Sequence, residues 1–214
     1  MTTVATAAAR PHVMARPASG ATRAVALVLP GGRADSFELA QARHLANVRM
    51  RPIARDLHRS GRAAGLAVWQ LRYRYRGWNG TEMSPVADAQ WALDEVRTRH
   101  GMVPVVLVGH SMGGRTALRV AGDESVHGVA ALAPWLVDTE PVEQLAGRQV
   151  LVIHGSRDHV TSPVASRRYV ERARTVTSGV EYVDIAGETH AMLRRWRTWH
   201  RLTTGFVLDV MCGS

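Results

Sequence analysis

The chain has 214 residues, of which 46% are hydrophobic and 21% are charged, and this length and composition predict a single globular domain. A single cysteine, Cys212, excludes a disulfide framework and a multi-cysteine zinc site, and no apolar run approaches the ~20 residues that span a bilayer. The 27 basic residues, all of them arginine, outnumber the 18 acidic residues and give a net charge of +9. Such a charge is compatible with a nucleic-acid partner. However, the arginines are scattered, and the dense stretches Arg49–Arg62 and Arg194–Arg201 interleave with apolar residues as on solvated helix faces. We therefore expect neither nucleic acid nor a membrane as a partner.

The first 22 residues contain no acidic residue, two prolines and no periodicity, which predicts a disordered tail over residues 1–22 and one domain over residues 23–214. The acid-free composition is also loosely that of a transit peptide, and a start placed too early, with Met14 the true first residue, stays open as well. The apolar core of a signal peptide and a twin-arginine pair are both missing. The cytoplasm is the expected compartment.

After this tail, short apolar runs alternate with segments of helical character. None of the runs alternates strongly between apolar and polar residues, which indicates burial on both faces, as in a parallel sheet. In chain order the predicted strands are Ala24–Leu29, Ala67–Leu71, Val105–Val108, Val129–Leu132, Val150–Ile153 and Val180–Ile185.

Proline and glycine delimit the predicted helices between these strands. One helix begins at Pro52 and ends at Gly61, a second spans Ser84–His100, a third begins at Pro163, and the last begins at about Ala191. Strands that alternate with helices predict a three-layer α/β fold with a mostly parallel central sheet of at least six strands.

The third predicted strand leads into Gly109-His110-Ser111-Met112-Gly113, immediately ahead of a helical segment. This is the G-x-S-x-G pattern in a strand–turn–helix context, the nucleophile elbow. The glycines suit a turn too sharp for a Cβ atom, and the turn lifts the Ser111 hydroxyl to the N-terminus of a helix, where backbone N–H groups favour developing negative charge. Ser111 is therefore the predicted nucleophile.

A serine nucleophile needs a base and an acid that orients the base, and in this type of turn they follow in the order Ser, Asp or Glu, His. Asp158 follows the fifth predicted strand and His190 follows the sixth, so both lie at the carboxyl edge of the sheet, where ligands bind in open α/β sheets. Asp138, after the fourth strand, is the second choice for the acid.

With these residues the chain resembles the α/β-hydrolase superfamily from about Val25 to Val210, most closely the compact, lidless, dienelactone-hydrolase-like esterases. The resemblance implies Ser111 as nucleophile, Asp158 as acid and His190 as base, with no cofactor. Dienelactone hydrolases themselves carry a cysteine nucleophile where this chain has serine, which favours ordinary ester chemistry.

An oxyanion hole needs two backbone N–H groups, one after the nucleophile and one after the first strand. Met112 is the first candidate, and Gly32 or Arg33 the second. Side chains on the remaining strand-end loops are candidates for the substrate pocket. They are Trp78, Asn79, Trp135 and Met192.

The sequence thus predicts a serine hydrolase acting on small carboxylic esters, as a monomer or homodimer. Thioester or peptide hydrolysis, acyl transfer, and a non-catalytic ligand-binding module on the same scaffold stay open as alternatives. His110 and His154 are expected to fix their turns by local hydrogen bonds. A metal site built from His154, Asp158 and His159 is disfavoured, because their spacing gives no shared helix face.

Overall fold

The computed structural model describes residues 9–213. Seven strands and five α-helices alternate along the chain: β1 His12–Arg16, β2 Ala24–Leu29, α1 Leu45–Gly61, β3 Leu66–Arg72, α2 Ser84–His100, β4 Val105–His110, α3 Met112–Val120, β5 Val126–Leu132, β6 Gln149–Gly155, α4 Pro163–Ala173, β7 Val180–Ile185 and α5 Trp196–Cys212. None of these helices is long and apolar enough to cross a membrane.

The strands form one sheet in the order β1-β3-β2-β4-β5-β6-β7, in which β1 is antiparallel to β3 and all other neighbours are parallel. Parallel neighbours need crossover connections, and α1, α3 and α4 supply those from β2 to β3, from β4 to β5 and from β6 to β7. The carboxyl ends of β2 to β7 therefore meet at one edge of the sheet, which is the edge that carries the candidate site.

Helices cover both faces of the sheet, which explains why the strands read as continuous apolar runs. On one face, α1 and α5 bury residues such as Met50, Leu57 and Trp199. On the other face, α2, α3 and α4 bury residues such as Leu93 and Tyr169. The three-layer fold predicted from the sequence is confirmed.

Two helix boundaries differ from the prediction for local reasons. The first helix begins at Leu45 and contains Pro52 in its interior, because burial of the apolar side of α1 outweighs the backbone hydrogen bond that an interior proline removes. The last helix begins at Trp196 and not at Ala191. Met192 has a φ of 58°, which a right-handed helix cannot contain.

The prediction of a disordered tail over residues 1–22 is wrong for residues 12–16, which form the edge strand β1. Val13 pairs with Leu71, and Met14 pairs with Gln70. An edge strand with one exposed side lacks the continuous apolar run of a central strand, so the segment carries little signal in the sequence. Residues 1–8 of the predicted tail lie outside the described residues.

Deletion of residues 1–20 tests the role of β1. The deletion removes five paired residues and exposes the edge of β3, so we expect the free energy of unfolding to fall by about 2–5 kcal/mol, at roughly 0.5–1.5 kcal/mol for each hydrogen bond lost. Urea unfolding measures this change. The variant Met14→Gln, which alters an exposed side chain and keeps the backbone ladder, is the control. Coincident unfolding curves for the deleted and full-length chains would contradict the assignment.

Candidate active site

Ser111 lies in a strained turn between β4 and α3. Its φ of 56° and ψ of −118° are unusual for any residue other than glycine, and such a conformation costs about 1–3 kcal/mol. The flanking glycines make the turn possible by close approach. A Cβ atom on Gly109 would lie 2.1 Å from the carbonyl oxygen of Gly113, and one on Gly113 would lie 2.2 Å from that of Leu29. The turn is thus wedged between its own strand and the end of β2.

Asp158, in the loop after β6, accepts hydrogen bonds at both carboxylate oxygens. Its Oδ1 accepts the backbone N–H groups of Val160 and Thr161 at 2.8 and 2.9 Å. Its Oδ2 accepts Nδ1–H of His190 at 2.8 Å and the Thr161 hydroxyl at 2.9 Å. Burial by itself raises the pKa of Asp158, but hydrogen bonds from His154, His190, Thr161 and Val160 outweigh it and hold that pKa well below its usual range. Asp158 is therefore a charged carboxylate aimed at His190.

His190 lies in the loop after β7 with its side chain 13% exposed. Since Nδ1–H donates to Asp158, the Nε2 atom is left as a proton acceptor on the far side of the ring. The ring packs against that of His110, the chain neighbour of Ser111, with centroids 4.6 Å apart. Nε2–H of His110 also donates to the backbone carbonyl of His190 at 3.0 Å. The serine turn and the histidine loop are therefore in direct contact.

A second histidine, His154, also contacts the carboxylate of Asp158. His154 is fully buried, its Nε2 lies 3.2 Å from Oδ2 of Asp158, and its Nδ1 accepts the Ser166 hydroxyl at 2.9 Å. Because Nε2 faces an ionised carboxylate, which only accepts hydrogen bonds, we assign the proton of His154 to Nε2, and this leaves Nδ1 to accept the Ser166 hydroxyl. The carboxylate is thereby fixed from three sides, which agrees with the local role predicted for His154.

Glu188 fixes the loop that carries His190. It is fully buried, and its carboxylate accepts the backbone N–H groups of Thr189 at 2.8 Å and Arg195 at 2.7 Å. These bonds fasten the two ends of the segment around His190. Glu188 thus has a role in positioning this loop.

The loop after β2 supplies one clear candidate for the second oxyanion donor. The N–H of Arg33 donates to the carbonyl of Arg76 at 2.8 Å, so this group is not available to a substrate. A Cβ atom on Gly31 would lie 3.3 Å from Cβ of Ser111, so the loop runs directly past the nucleophile. Gly32 is left as the candidate donor. The N–H of Met112, in the first turn of α3, has no carbonyl acceptor within the helix.

Two of the predicted pocket residues, Trp78 and Asn79, are buried and contact other residues of the protein. Asn79 is buried with a φ of 64°. Its Oδ1 accepts the backbone N–H of Ser36 at 2.8 Å, and its Nδ2 donates to the hydroxyl of Ser84 at 3.1 Å. Its polar atoms are therefore used within the loop and not presented to a substrate. Trp78 is 4% exposed and packs under the guanidinium of Arg115, 3.9 Å from the ring centroid.

The other two pocket candidates, Trp135 and Met192, pack against the cores on opposite faces of the sheet. Trp135 is half-buried, and its backbone N–H donates to the backbone carbonyl of Ser111 at 3.1 Å. It also contacts Arg115, whose buried guanidinium pairs with Glu140. Met192 is 5% exposed and belongs to the core beneath α1 and α5. Trp135 is thus a candidate wall beside Ser111, whereas Met192 is part of the core.

A cavity of about 480 Å³ adjoins the candidate oxyanion loop. Gly31 and Gly32 form one end, Tyr73 and Tyr75 contribute aromatic surface, and the charged lining residues include Arg33, Arg43 and Arg76. No carboxylate is among its lining residues. The cavity is large enough for a small substrate. Its wall carries a net positive charge, although Arg76 is paired with the exposed Glu38.

The competing assignments do not assemble a site. Asp138, the second choice for the acid, is exposed. Within residues 9–213, no group of three or more histidine, cysteine, aspartate or glutamate side chains could hold a metal ion. Thr161 lies in the loop after β6, and Ser166 lies in α4. Neither was predicted from the sequence, because serine and threonine several residues beyond a strand end have no distinguishing spacing.

A family model described as serine aminopeptidase, S33, matches residues 61–149. The matched segment contains the Ser111 turn and ends before Asp158 and His190. A comparison with curated proteins finds no match.

Solved structures of α/β serine hydrolases are similar over most of the chain. An α/β serine hydrolase homologue from Coxiella burnetii is 19% identical, with 91% of this chain and 90% of that chain covered and a TM-score of 0.67. XC6422 from Xanthomonas campestris, a serine hydrolase without a lid, is 19% identical, with coverage of 89% and 84% and a TM-score of 0.62. The butyrate-bound esterase Est2 from Thermogutta terrifontis is 16% identical, with coverage of 94% and 89% and a TM-score of 0.67.

These solved structures show that the chain has the fold of the α/β hydrolases, as the resemblance predicted. In the described part of the chain, the connection from β5 to β6 contains one short 3-10 helix, Glu143–Leu145, and no inserted lid domain.

His110 generates a prediction about stability and pH. Burial, followed by the nearby charges of His190 and Arg49, lowers the pKa of His110 from 6.5 to about 3. Between these values the unfolded chain binds a proton that the folded chain does not, so stability falls as the pH falls through this window, by up to about 1.4 kcal/mol per pH unit for one proton. Urea unfolding between pH 7 and pH 4 measures the slope.

The variant His110→Gln keeps a donor for the His190 carbonyl and removes the titrating group. Its stability should depend less steeply on pH than that of the wild type over the same window. Equal slopes for the two proteins would show that His110 is not the group responsible.

Proposed function

We propose that the chain hydrolyses carboxylic esters of small substrates through an acyl-enzyme on Ser111. The observation that supports this most directly is the contact between the charged Asp158 carboxylate and Nδ1 of His190, 2.8 Å apart, with the His190 loop in contact with the strained serine turn. Acyl transfer to serine needs these three groups: an exposed hydroxyl, a base with its lone pair free, and a carboxylate that orients the base.

In the proposed reaction, Nε2 of His190 takes the proton of Ser111 as Oγ attacks the ester carbonyl. The resulting imidazolium is stabilised by Asp158, and the oxyanion is stabilised by the N–H groups of Met112 and Gly32. His190 then gives its proton to the leaving alcohol. In the second half, His190 removes a proton from water, the resulting hydroxide attacks the acyl carbon, and Ser111 recovers its proton as the acid leaves. The cycle balances without a cofactor.

Peptide hydrolysis is the second candidate, because the matching family model is described as serine aminopeptidase. An aminopeptidase must accommodate the ammonium group of its substrate beside the scissile bond. The cavity beside Gly32 is lined by three arginines and no carboxylate, which disfavours a cation at this position. Ester substrates therefore fit the described site better. Comparison of a nitrophenyl ester with an aminoacyl nitroanilide separates the two activities.

The variant Ser111→Ala tests the nucleophile. We expect wild-type protein to hydrolyse short nitrophenyl esters and to be labelled by a fluorophosphonate probe, and the variant to lose labelling completely. The variant's kcat should fall by about three orders of magnitude or more, because the acyl-enzyme can no longer form. Labelling of the variant at the wild-type rate would remove Ser111 from the reaction.

The variant Asp158→Asn tests the acid. An amide at this position can present N–H to His190 and favour the wrong tautomer, so we expect kcat to fall by about 10⁴-fold with a smaller change in KM. Asp138→Asn is the matched control, because Asp138 is an exposed aspartate at the other position considered for the acid. A large loss in the control with none in Asp158→Asn would reverse the assignment.

A further inference from the structure

Helices α1 and α5 border a groove that lies outside the candidate active site. Its volume is about 550 Å³, and its apolar lining includes Leu45, Val48, Ile53, Leu193 and Trp196. Ala191 and Met192, which directly follow His190, also line it. This α1–α5 groove is therefore a neighbour of the histidine loop on the outer surface of the protein.

The rim of the α1–α5 groove exposes large apolar side chains. Leu45 is 77% exposed, Leu193 is 67% exposed and Trp196 is 47% exposed. Isolated apolar residues on a surface are ordinary, but three of them around one apolar groove form a patch of the kind that marks an interaction site.

Arginines line the α1 side of the same groove, and further arginines are close in sequence to the residues on its α5 side. Arg49, Arg55 and Arg59 line it from α1. On the α5 side, an exposed set lies within a few residues of Leu193 and Trp196: Arg194, Arg195, Arg197 and Arg201. The guanidinium of Arg197 lies 5.2 Å from the ring centroid of Trp196.

Few carboxylates offset this charge. Asp56 is the only acidic residue in α1, and between residues 189 and 201 there is none. Asp56 is already bonded to Arg59 and to His200. Glu188, at the edge of this region, is fully buried, and its carboxylate accepts hydrogen bonds from backbone N–H groups. The rim of the groove therefore carries a strong net positive charge.

Three kinds of occupant can be compared by their chemistry. A second copy of this chain, docked by the same face, would bring two sets of arginines together and be repelled. A nucleic acid would satisfy the arginines but would offer little to Leu45, Leu193 and Trp196. The surface of an anionic bilayer offers both partners, because its phosphates attract arginine and its headgroup–acyl boundary accepts leucine and tryptophan side chains.

We propose that the α1–α5 groove and its arginine rim form a docking surface for anionic lipid bilayers. The protein adsorbs by this face, with the groove residues at the headgroup level and the arginines on the lipid phosphates. Because the face adjoins the histidine loop, adsorption holds the candidate active site close to the membrane surface. The sequence alone predicted no membrane partner.

Sedimentation with lipid vesicles tests this docking. Full-length protein should bind vesicles that contain phosphatidylserine, should bind phosphatidylcholine vesicles at least tenfold more weakly, and should dissociate in high salt. Arg194→Gln and Arg201→Gln should each weaken binding about fivefold. Leu193→Ser combined with Trp196→Ser should weaken it more than tenfold.

Two matched controls share the chemistry of these changes and lie elsewhere. Arg168→Gln removes an exposed arginine on α4, which covers the opposite face of the sheet, and Leu39→Ser removes a leucine that is 57% exposed. Both should bind vesicles as the wild type does. Circular dichroism and thermal unfolding of every variant establish that losses of binding are not losses of fold.

Tryptophan fluorescence gives a second readout. Trp196 is the only exposed tryptophan among residues 9–213, so anionic vesicles should shift the emission to the blue in wild-type protein and not in Trp196→Phe. Ser111→Ala should still bind vesicles, which separates this proposal from the proposed hydrolysis.

Several results would overturn the docking surface. They are the absence of binding to anionic vesicles, binding that the groove variants leave unchanged, dimerisation that the groove variants abolish in the absence of lipid, and tighter binding to a short DNA duplex than to the vesicles.

Discussion

The candidate site depends on one constraint, the left-handed backbone of Ser111. A serine with φ of 56° is held there because β4, the start of α3 and the end of β2 approach too closely for any side chain at Gly109 or Gly113. The strain is offset by the buried sheet on either side, which keeps the turn from relaxing. Two elements of the proposed mechanism follow from this turn: the hydroxyl lies above the sheet edge, and the N–H of Met112 lies at a helix N-terminus.

Asp158 and His190, the proposed acid and base, are positioned by several hydrogen bonds to the buried Asp158 carboxylate. Asp158 is charged in spite of its burial, because His190, His154, Thr161 and two backbone N–H groups all donate to it or lie within hydrogen-bond reach. A buried carboxylate without these hydrogen bonds would stay protonated and would no longer orient His190 as a charged acceptor. The same network explains why the loops after β6 and β7 are ordered together. The histidine of one loop is the partner of the aspartate of the other.

Features with fixed spacing could be predicted from the sequence, and features that depend on contacts between distant loops could not. The G-x-S-x-G turn and the strand-end positions of Asp158 and His190 follow from local pattern and strand order. The choice between Gly32 and Arg33 needed the contact with the Arg76 carbonyl, and the structural role of Asn79 needed its partners in two other segments. The edge strand β1 was missed because a half-exposed strand has no continuous apolar run. The arginines of α1 and α5 read as solvated faces of separate helices, and only the fold brings them to one groove.

The most direct test of the proposed chemistry is to locate the acyl group in a reaction quenched during turnover. Wild-type protein mixed with a nitrophenyl ester, quenched in acid within milliseconds and digested, should carry one acyl group, and fragmentation in the mass spectrometer should place it on Ser111. An acyl group on another residue, or burst-phase release of nitrophenol without any acylated peptide, would contradict the account.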